Sequence, residues 1–153
     1  MRTFSLPEAP QATSPFWWVW ERFTDVHTAA YRATNGKLGG TYGEAPVALV
    51  ESVGRKSGKR RTHPLLATKD GDNIVVVASK GGVHKHPAWY HNLMANPETT
   101  VNWYGEVRRM RARETEGEER ERLWKQMTDV YPTYLDYQAR TDRRIPVILL
   151  EPV

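Results

Sequence analysis

The sequence predicts a mainly β, α+β domain: an antiparallel barrel or sheet with flanking helices. Three observations carry this. From residue 46 onward the chain breaks into about six short runs rich in Val, Ile, Leu and Thr. Turn signals such as Asp70-Gly71-Asp72 and Tyr104-Gly105-Glu106 separate them. The helical segments between are too few for repeated βαβ units, which argues against a doubly wound fold.

The elements follow in order. Residues 1–13, with Pro7 and Pro10, read as a flexible arm. Ser14-Pro15 then supplies an N-cap and first helical position. Phe16, Val19, Trp20, Phe23, Val26 and Ala30 recur at helical spacing to about Thr34. Trp17 and Trp18 widen this stripe. Two readings stand: large aromatics packed as core, or an interfacial helix with indole rings at headgroup level. The mixed charges Glu21, Arg22 and Asp25 weigh against the second. Asn35 to Gly43 is a glycine-rich connector.

Strands are expected at Pro46–Val53, Thr62–Lys69 and Asn73–Ser79. Pro64 marks an edge or a bulge, because proline cannot donate to a ladder. Lys80–Lys85 is a loop, and Pro87–Ala95 a short helix closed by Asn96-Pro97. Thr99–Trp103 and Val107–Arg113 form a hairpin. Val107, Arg109, Arg111 and Arg113 share one face, which reads as wet and basic. Thr115 and Glu118 suit a capping box for a helix to about Val130. A turn or helix restarts at Pro132 and runs to about Arg140, and Ile145–Leu150 is a final strand. Residues 1–38 read as arm and aromatic helix, and 39–153 as the barrel domain.

Composition narrows the chemistry. The chain has 153 residues, a formal charge of +4 and no cysteine. Disulfides, thiolate catalysis and cysteine-type metal sites are excluded. The balance favours anionic partners and fits a cytoplasmic protein. No run approaches a membrane span, and Met1 to Pro15 lacks the apolar region of a secretory signal.

Three constellations could carry function. The first is the loop Gly54-Arg55-Lys56-Ser57-Gly58-Lys59-Arg60-Arg61, five cations and two glycines between strands. Backbone N–H groups, a hydroxyl and fixed charge together suit a polyanion. It is not a phosphate-loop motif: three residues, not four, separate its glycines, and a strand follows instead of a helix. A solvated basic turn is the plain alternative. Against it stands a second anion-ready segment, Ser79-Lys80-Gly81-Gly82, at the end of a buried strand.

The second is Lys85-His86-Pro87-Ala88-Trp89-Tyr90-His91-Asn92, whose helix start presents free N–H groups. His84, His86 and His91 do not make a metal site, since no carboxylate completes the set and cations crowd it. Trp89 and Tyr90 are either core or a stacking surface for a flat ring. The third is Tyr131, Tyr134 and Tyr137, which fall within about 120° of one helix face. They are an aromatic core stripe or a phenol wall able to donate a proton. No Ser-His-Asp set, paired carboxylates or HExxH motif is present. An enzyme of this sequence would take its chemistry from a cofactor.

With GRKSG at 54–58, ASKGG at 78–82, HPAWYHNL at 86–93, Ala95-Asn96-Pro97 and YPTYLDYQARTDRRIP at 131–146, the chain resembles the deazaflavin-dependent nitroreductase family, F420-using oxidoreductases of actinobacteria. The resemblance runs from about Gly39 to Pro152. It implies a split antiparallel β-barrel of the FMN-binding, pyridoxamine-phosphate-oxidase-like type. It implies coenzyme F420, and transfer of a hydride from reduced deazaflavin to a quinone, activated alkene or nitro compound. By resemblance Arg55, Lys56 and Ser57 hold the phosphate and the start of the oligoglutamate tail. Arg61, Thr62, His63, Pro64, Leu65 and Leu66 line the next part of the cofactor. Val77, Ala78, Ser79 and Lys80 lie along the ring, with Ala88, Trp89, Tyr90, His91 and Asn92 on its other side. Tyr131, Tyr134 and Tyr137 border the substrate, Tyr134 also touching the cofactor. A tyrosine, Ser79 or water supplies the proton. Nitroimidazole-reducing relatives carry a tyrosine where this chain has Leu66, a departure that bears on nitroreduction more than on quinone reduction.

The alternatives are an FMN-binding split-barrel protein and a nucleic-acid-binding β-barrel that stacks bases on its Trp and Tyr. The expected partners are a small-molecule acceptor, including a membrane quinone, and not nucleic acid. The chain is expected as a monomer or homodimer, cytoplasmic or peripheral to the inner membrane face through its N-terminal helix.

Overall fold

The computed structural model describes residues 17–153, with side chains from Thr24 onward. The elements are α1 (Trp17–Thr34), β1 (Thr41–Tyr42), β2 (Ala45–Val53), β3 (Arg60–Asp70), β4 (Asn73–Val77), α2 (Ala88–Ala95), β5 (Glu98–Trp103), β6 (Glu106–Glu114), α3 (Gly117–Val130), α4 (Thr133–Ala139) and β7 (Val147–Pro152). The arm and the aromatic side chains at 16–23 lie outside the described residues, and with them the interfacial reading of the first helix.

The strands order as β1-β2-β3-β4-β7-β6-β5, and β5 pairs back onto β2. Strands β2 to β7 therefore close into a six-stranded antiparallel barrel, the fold class expected from the strand pattern. Alternation along each strand sorts its residues. Ala48, Val50, Ile74, Val76, Val101, Met110, Ala112, Ile148 and Leu150 fill the interior, together with Trp89 and Leu93 from α2. Outward, Val75, Val77, Val147 and Leu149 pack under Leu123 and Met127 of α3 and Tyr134 of α4. Strands β4 and β7 are buried on both faces, which is why their sequences are unbroken apolar runs.

The barrel is only partly zipped. Arg60–Leu66 of β3 pairs with β2 alone, and Ala67–Asp70 takes β4 on its other side. Closure between β2 and β5 rests on Leu49↔Asn102 and Val50↔Val101. Pro64 sits opposite Leu49 on the half of β3 with one neighbour. Its missing N–H therefore costs no ladder bond, and the edge reading of Pro64 is the correct one.

The described part of α1 packs on the outside of β2, with Tyr31 against Val47 and Leu49. The Tyr31 hydroxyl accepts the Tyr104 N–H (2.8 Å) and donates to Asn102 O (3.3 Å). The Tyr104 hydroxyl in turn donates to Gly40 O. A Cβ at Gly40 would collide with the Gly36 carbonyl, so the connector needs glycine there. Among the described residues, no helix is long and apolar enough to cross a membrane.

One expected element differs in detail. Thr115 does not cap α3: its N–H (3.0 Å) and its hydroxyl (2.9 Å) both donate to Val147 O. Glu116 is the N-cap, without a side-chain cap bond. Sheet pairing claims the threonine first, since Thr115 is buried against β7.

Candidate cofactor site

The basic loop joins β2 to β3 and is held by its own bonds. Gly54 N–H donates to Lys59 O (2.8 Å), and Gly58 N–H donates to Gly54 O (2.8 Å). Lys59 N–H donates to the Ser57 hydroxyl (3.3 Å). Arg55 N–H donates to Asn92 Oδ1 (3.2 Å), which ties the loop to α2. The side chains of Arg55, Lys56, Lys59 and Arg60 are exposed. None has a carboxylate partner among the described residues. Several arginines elsewhere are matched: Arg109 with Glu98 (2.8 Å), Arg113 with Glu119 (2.6 Å) and Glu151 (2.7 Å), Arg122 with Asp70 (3.0 Å). The wet, basic face expected on β6 is wet, but its arginines are neutralised. Such exposed pairs add little stability.

Behind the loop, Asn92 Nδ2 donates to Ser52 Oγ (3.4 Å), and Ser52 Oγ lies 2.7 Å from His63 Nε2. Burial, and secondarily the charge of Arg61, lower the His63 pKa from 6.5 to about 4. A histidine neutral when folded and protonated when unfolded contributes stability that is full above pH 6.5. That contribution is lost as pH falls from 6.5 towards 4. His63→Gln is therefore expected to flatten the dependence of Tm on pH between 7 and 4.5, a window worth up to about 3 kcal/mol in the parent. A parent Tm that stays constant across this range would refute the buried neutral state.

Strand β4 ends at Val77, two residues earlier than expected, because the chain turns sharply. Lys80, Gly81 and Gly82 all have positive φ (46°, 64° and 79°). A Cβ on Gly82 would stand 2.6 Å from Tyr137 O and 2.9 Å from Tyr137 Cα. The Ser79–Gly82 turn thus lies directly on α4. Arg143, from the α4–β7 connection, reaches the same turn. It donates to the carbonyls of Ala78 (3.1 Å), Ser79 (2.6 Å) and Val83 (2.7 Å) and to His86 Nδ1 (2.9 Å). Sequence reasoning missed this residue, since arginine in a charged connector carries no motif.

The three tyrosines of the 131–137 segment do cluster. Ring centroids are 5.0 Å apart for Tyr131–Tyr134, 6.2 Å for Tyr134–Tyr137 and 6.3 Å for Tyr131–Tyr137. The Tyr131 and Tyr137 hydroxyls are 3.4 Å apart. Tyr134 is 4 % exposed and backs the other two, with Trp124 beside it at 6.3 Å. Burial pushes the Tyr134 phenol far above its ordinary value. Burial first, then the Tyr137 bond, raise that of Tyr131 as well. Leu66 packs against this cluster, whereas Leu65 packs towards the barrel interior. A fourth tyrosine went unread: Tyr42 of β1 meets the Tyr131 ring edge-on at 5.5 Å. An aromatic inside the glycine-rich connector was the available signal.

On α2, Ala88 is exposed, Trp89 belongs to the barrel core and Asn92 is spent on the loop. The Tyr90 hydroxyl donates to Glu114, and burial followed by that bond push its pKa up to about 12. His86, Tyr90 and His91 form a ring cluster with centroids 4.5–5.7 Å apart. Arg61 and Thr62 lie on the seam half of β3, and Thr62 Oγ1 accepts from Arg32 (3.0 Å).

A single run of contacts therefore links the sequence segments: loop, Asn92, the α2 rings, Arg143, Ser79–Gly82, and the tyrosines. One end presents unmatched cations and the other presents phenols. This donor set fits a ligand with a polyanionic tail and a flat ring.

The comparisons agree. The family model for F420H(2)-dependent quinone reductases matches residues 23–152. An F420H(2)-dependent quinone reductase of Mycobacterium tuberculosis is 38% identical over 129 residues, covering 82% of this chain and 87% of that protein. The solved F420-H2 dependent reductase FDR-A is 47% identical with a TM-score of 0.65, covering 69% of this chain and 94% of its own. A structure described as a domain-swapped dimer is 40% identical with a TM-score of 0.68, covering 90% and 100%. The fold is an antiparallel split β-barrel, coenzyme F420 is the cofactor, and the chain belongs to the F420H(2)-dependent quinone reductase family.

Proposed function

We propose that this chain reduces a quinone with F420H2 bound along the run of contacts from the basic loop to the tyrosines. The observation that carries this reading is the set of cations at Arg55, Lys56, Lys59 and Arg60, four in one exposed loop and none with a carboxylate partner among the described residues, whereas Arg109, Arg113 and Arg122 are paired. A phosphate and carboxylate tail supplies the missing partners, and charge-assisted bonds to it are the strong kind. When bound, the deazaflavin supplies a hydride from its C5.

The chain's own residues do the rest. Arg55, Lys56 and Ser57 hold the phosphate end, and Arg61 with Thr62–Leu66 lines the middle along the seam of β3. Val77–Lys80 carries the ring on one side and α2 flanks it on the other. Trp89 contributes by fixing α2 in the barrel mouth. Tyr131 and Tyr137, half-buried with paired hydroxyls, face the acceptor and hold the proton it needs. Tyr134 orients that pair from behind. Ser79 is the second donor at the ring.

The test is fluorescence quenching on titration with F420, with FMN run alongside. Lys56→Ala is expected to raise the F420 Kd about tenfold, the equivalent of one charge-assisted bond, with Tm unchanged. Unaltered affinity would remove the loop from the site, and tight FMN binding without F420 binding would replace the cofactor. A membrane quinone as acceptor fits the family, and a homodimer is supported by the domain-swapped relative.

A further inference from the structure

We infer that Arg143 is a positioning residue that holds a ligand-facing row of peptide N–H groups at Ser79, Lys80 and Gly81. The inference rests on the site proposed above only for what those groups face. The guanidinium spends all four of its contacts on one stretch, the carbonyls of Ala78, Ser79 and Val83 and the ring of His86. Strand pairing ends at Val77, so these carbonyls have left the sheet ladder. The planar guanidinium is pre-organised to meet two successive carbonyls and the His86 ring together, where a single ammonium would cover fewer of these acceptors and lose more freedom for each.

The consequence follows from peptide geometry. A trans peptide directs its N–H opposite to its C=O. With the Ala78 and Ser79 carbonyls turned towards Arg143, the N–H groups of Ser79 and Lys80 point away from it. Ser79 is right-handed helical (φ −78°, ψ −39°), while Lys80 has a positive φ of 46°. Successive residues of this alternating hand gather their N–H groups into a concavity that receives electron-rich oxygen. A left-handed lysine is strained, and such strain persists where surrounding contacts over-determine it. Arg143 supplies those contacts. The ligand class is a flat ring bearing carbonyl oxygens.

His86 makes the clamp sensitive to acid. Arginine only donates, so its bond requires His86 Nδ1 to carry no proton. Arg143 faces this ring from the α4–β7 connection, Tyr90 and His91 from α2, and Glu114 from the end of β6. Burial first, then Arg143 and His91, oppose a charge on His86, while Glu114 favours one. Protonation would set a donor against a donor and loosen the turn.

Hydrogen exchange of the cofactor-free protein, run with thermal denaturation and F420 titration, tests this. In Arg143→Gln, the Gly82 and Val83 amides, bonded to Ser79 O (3.0 Å) and Lys80 O (3.3 Å), are expected to lose protection about tenfold relative to barrel amides. F420 affinity is expected to fall about tenfold in parallel, and Arg143→Lys to restore only part of either. His86→Asn keeps an acceptor near the Nδ1 position without titrating. It is expected to abolish the extra opening that the parent shows between pH 7 and pH 5, after correction for intrinsic exchange. Unchanged local protection in Arg143→Gln overturns the inference. Full rescue by Arg143→Lys overturns it too, and that variant decides the matter if Arg143→Gln does not fold. Local loosening in a parent that binds no F420 supports the clamp and overturns the cofactor reading instead.

Discussion

Replacing Gly82 by alanine is expected to cut kcat/KM about 10²-fold and to lower stability by about 2–4 kcal/mol. Two separate penalties meet at this position. The backbone has φ +79°, a region that a side chain enters at a cost. The added methyl would also stand 2.6 Å from Tyr137 O and 2.9 Å from Tyr137 Cα. Both are backbone atoms, so no rotamer change relieves the contact. The cheapest escape is to lift α4 off the turn, which moves Tyr137 away from Ser79. Activity is therefore lost together with stability. Gly81→Ala is the matched control: its φ is +64°, but a Cβ there meets open space. It bears the strain without the collision, and is expected to lose about 1–2 kcal/mol and little kcat. If melting curves and steady-state kinetics cannot tell the two variants apart, contact between turn and helix is not what shapes the site.

Tyr131→Phe is expected to lower kcat about 10²-fold with KM for F420H2 nearly unchanged, the signature of a lost proton donor. Burial and the Tyr137 hydroxyl raise the Tyr131 pKa above its usual 10. The phenol therefore stays protonated through and beyond that pH, and kcat of the parent is expected to stay level from pH 7 to 9. Tyr137→Phe removes the other half of the 3.4 Å hydroxyl pair. The double variant is expected to lose little more than either single one, because groups that act as a unit are not additive. A Tyr131→Phe enzyme with the parent's kcat would return the cluster to packing.

The strands were legible because their periodicity is strong. Asn73–Ser79 and Ile145–Leu150 read as strands, and the strands found there, Asn73–Val77 and Val147–Pro152, are covered on both faces over most of their length. Pro64 announced the seam of the barrel through its missing donor. Element ends were less legible: Thr115 looks like a helix cap until β7 takes it. In the site, the loop and the ASKGG turn were visible as motifs, since glycine and charge in such density need a reason. Tyr42 and Arg143 were not visible. Their roles come from partners 89 and 57–65 positions away, and no local pattern encodes such contacts. Trp89 was legible only as a choice. Its motif left two readings, core or stacking surface, and the structure places it in the barrel core.

The pairing of arginines on β6 and α3 has a kinetic consequence. Matched charges cancel within a Debye length, about 8 Å at physiological salt, and project little field into solvent. Arg55, Lys56, Lys59 and Arg60 have no carboxylate partner among the described residues, so their four charges add up at one corner of the molecule. A polyanion that comes within that range is drawn to the corner by its charged end. Encounter is thereby oriented before any ring contact forms, and its rate falls with added salt while the barrel itself is indifferent to it.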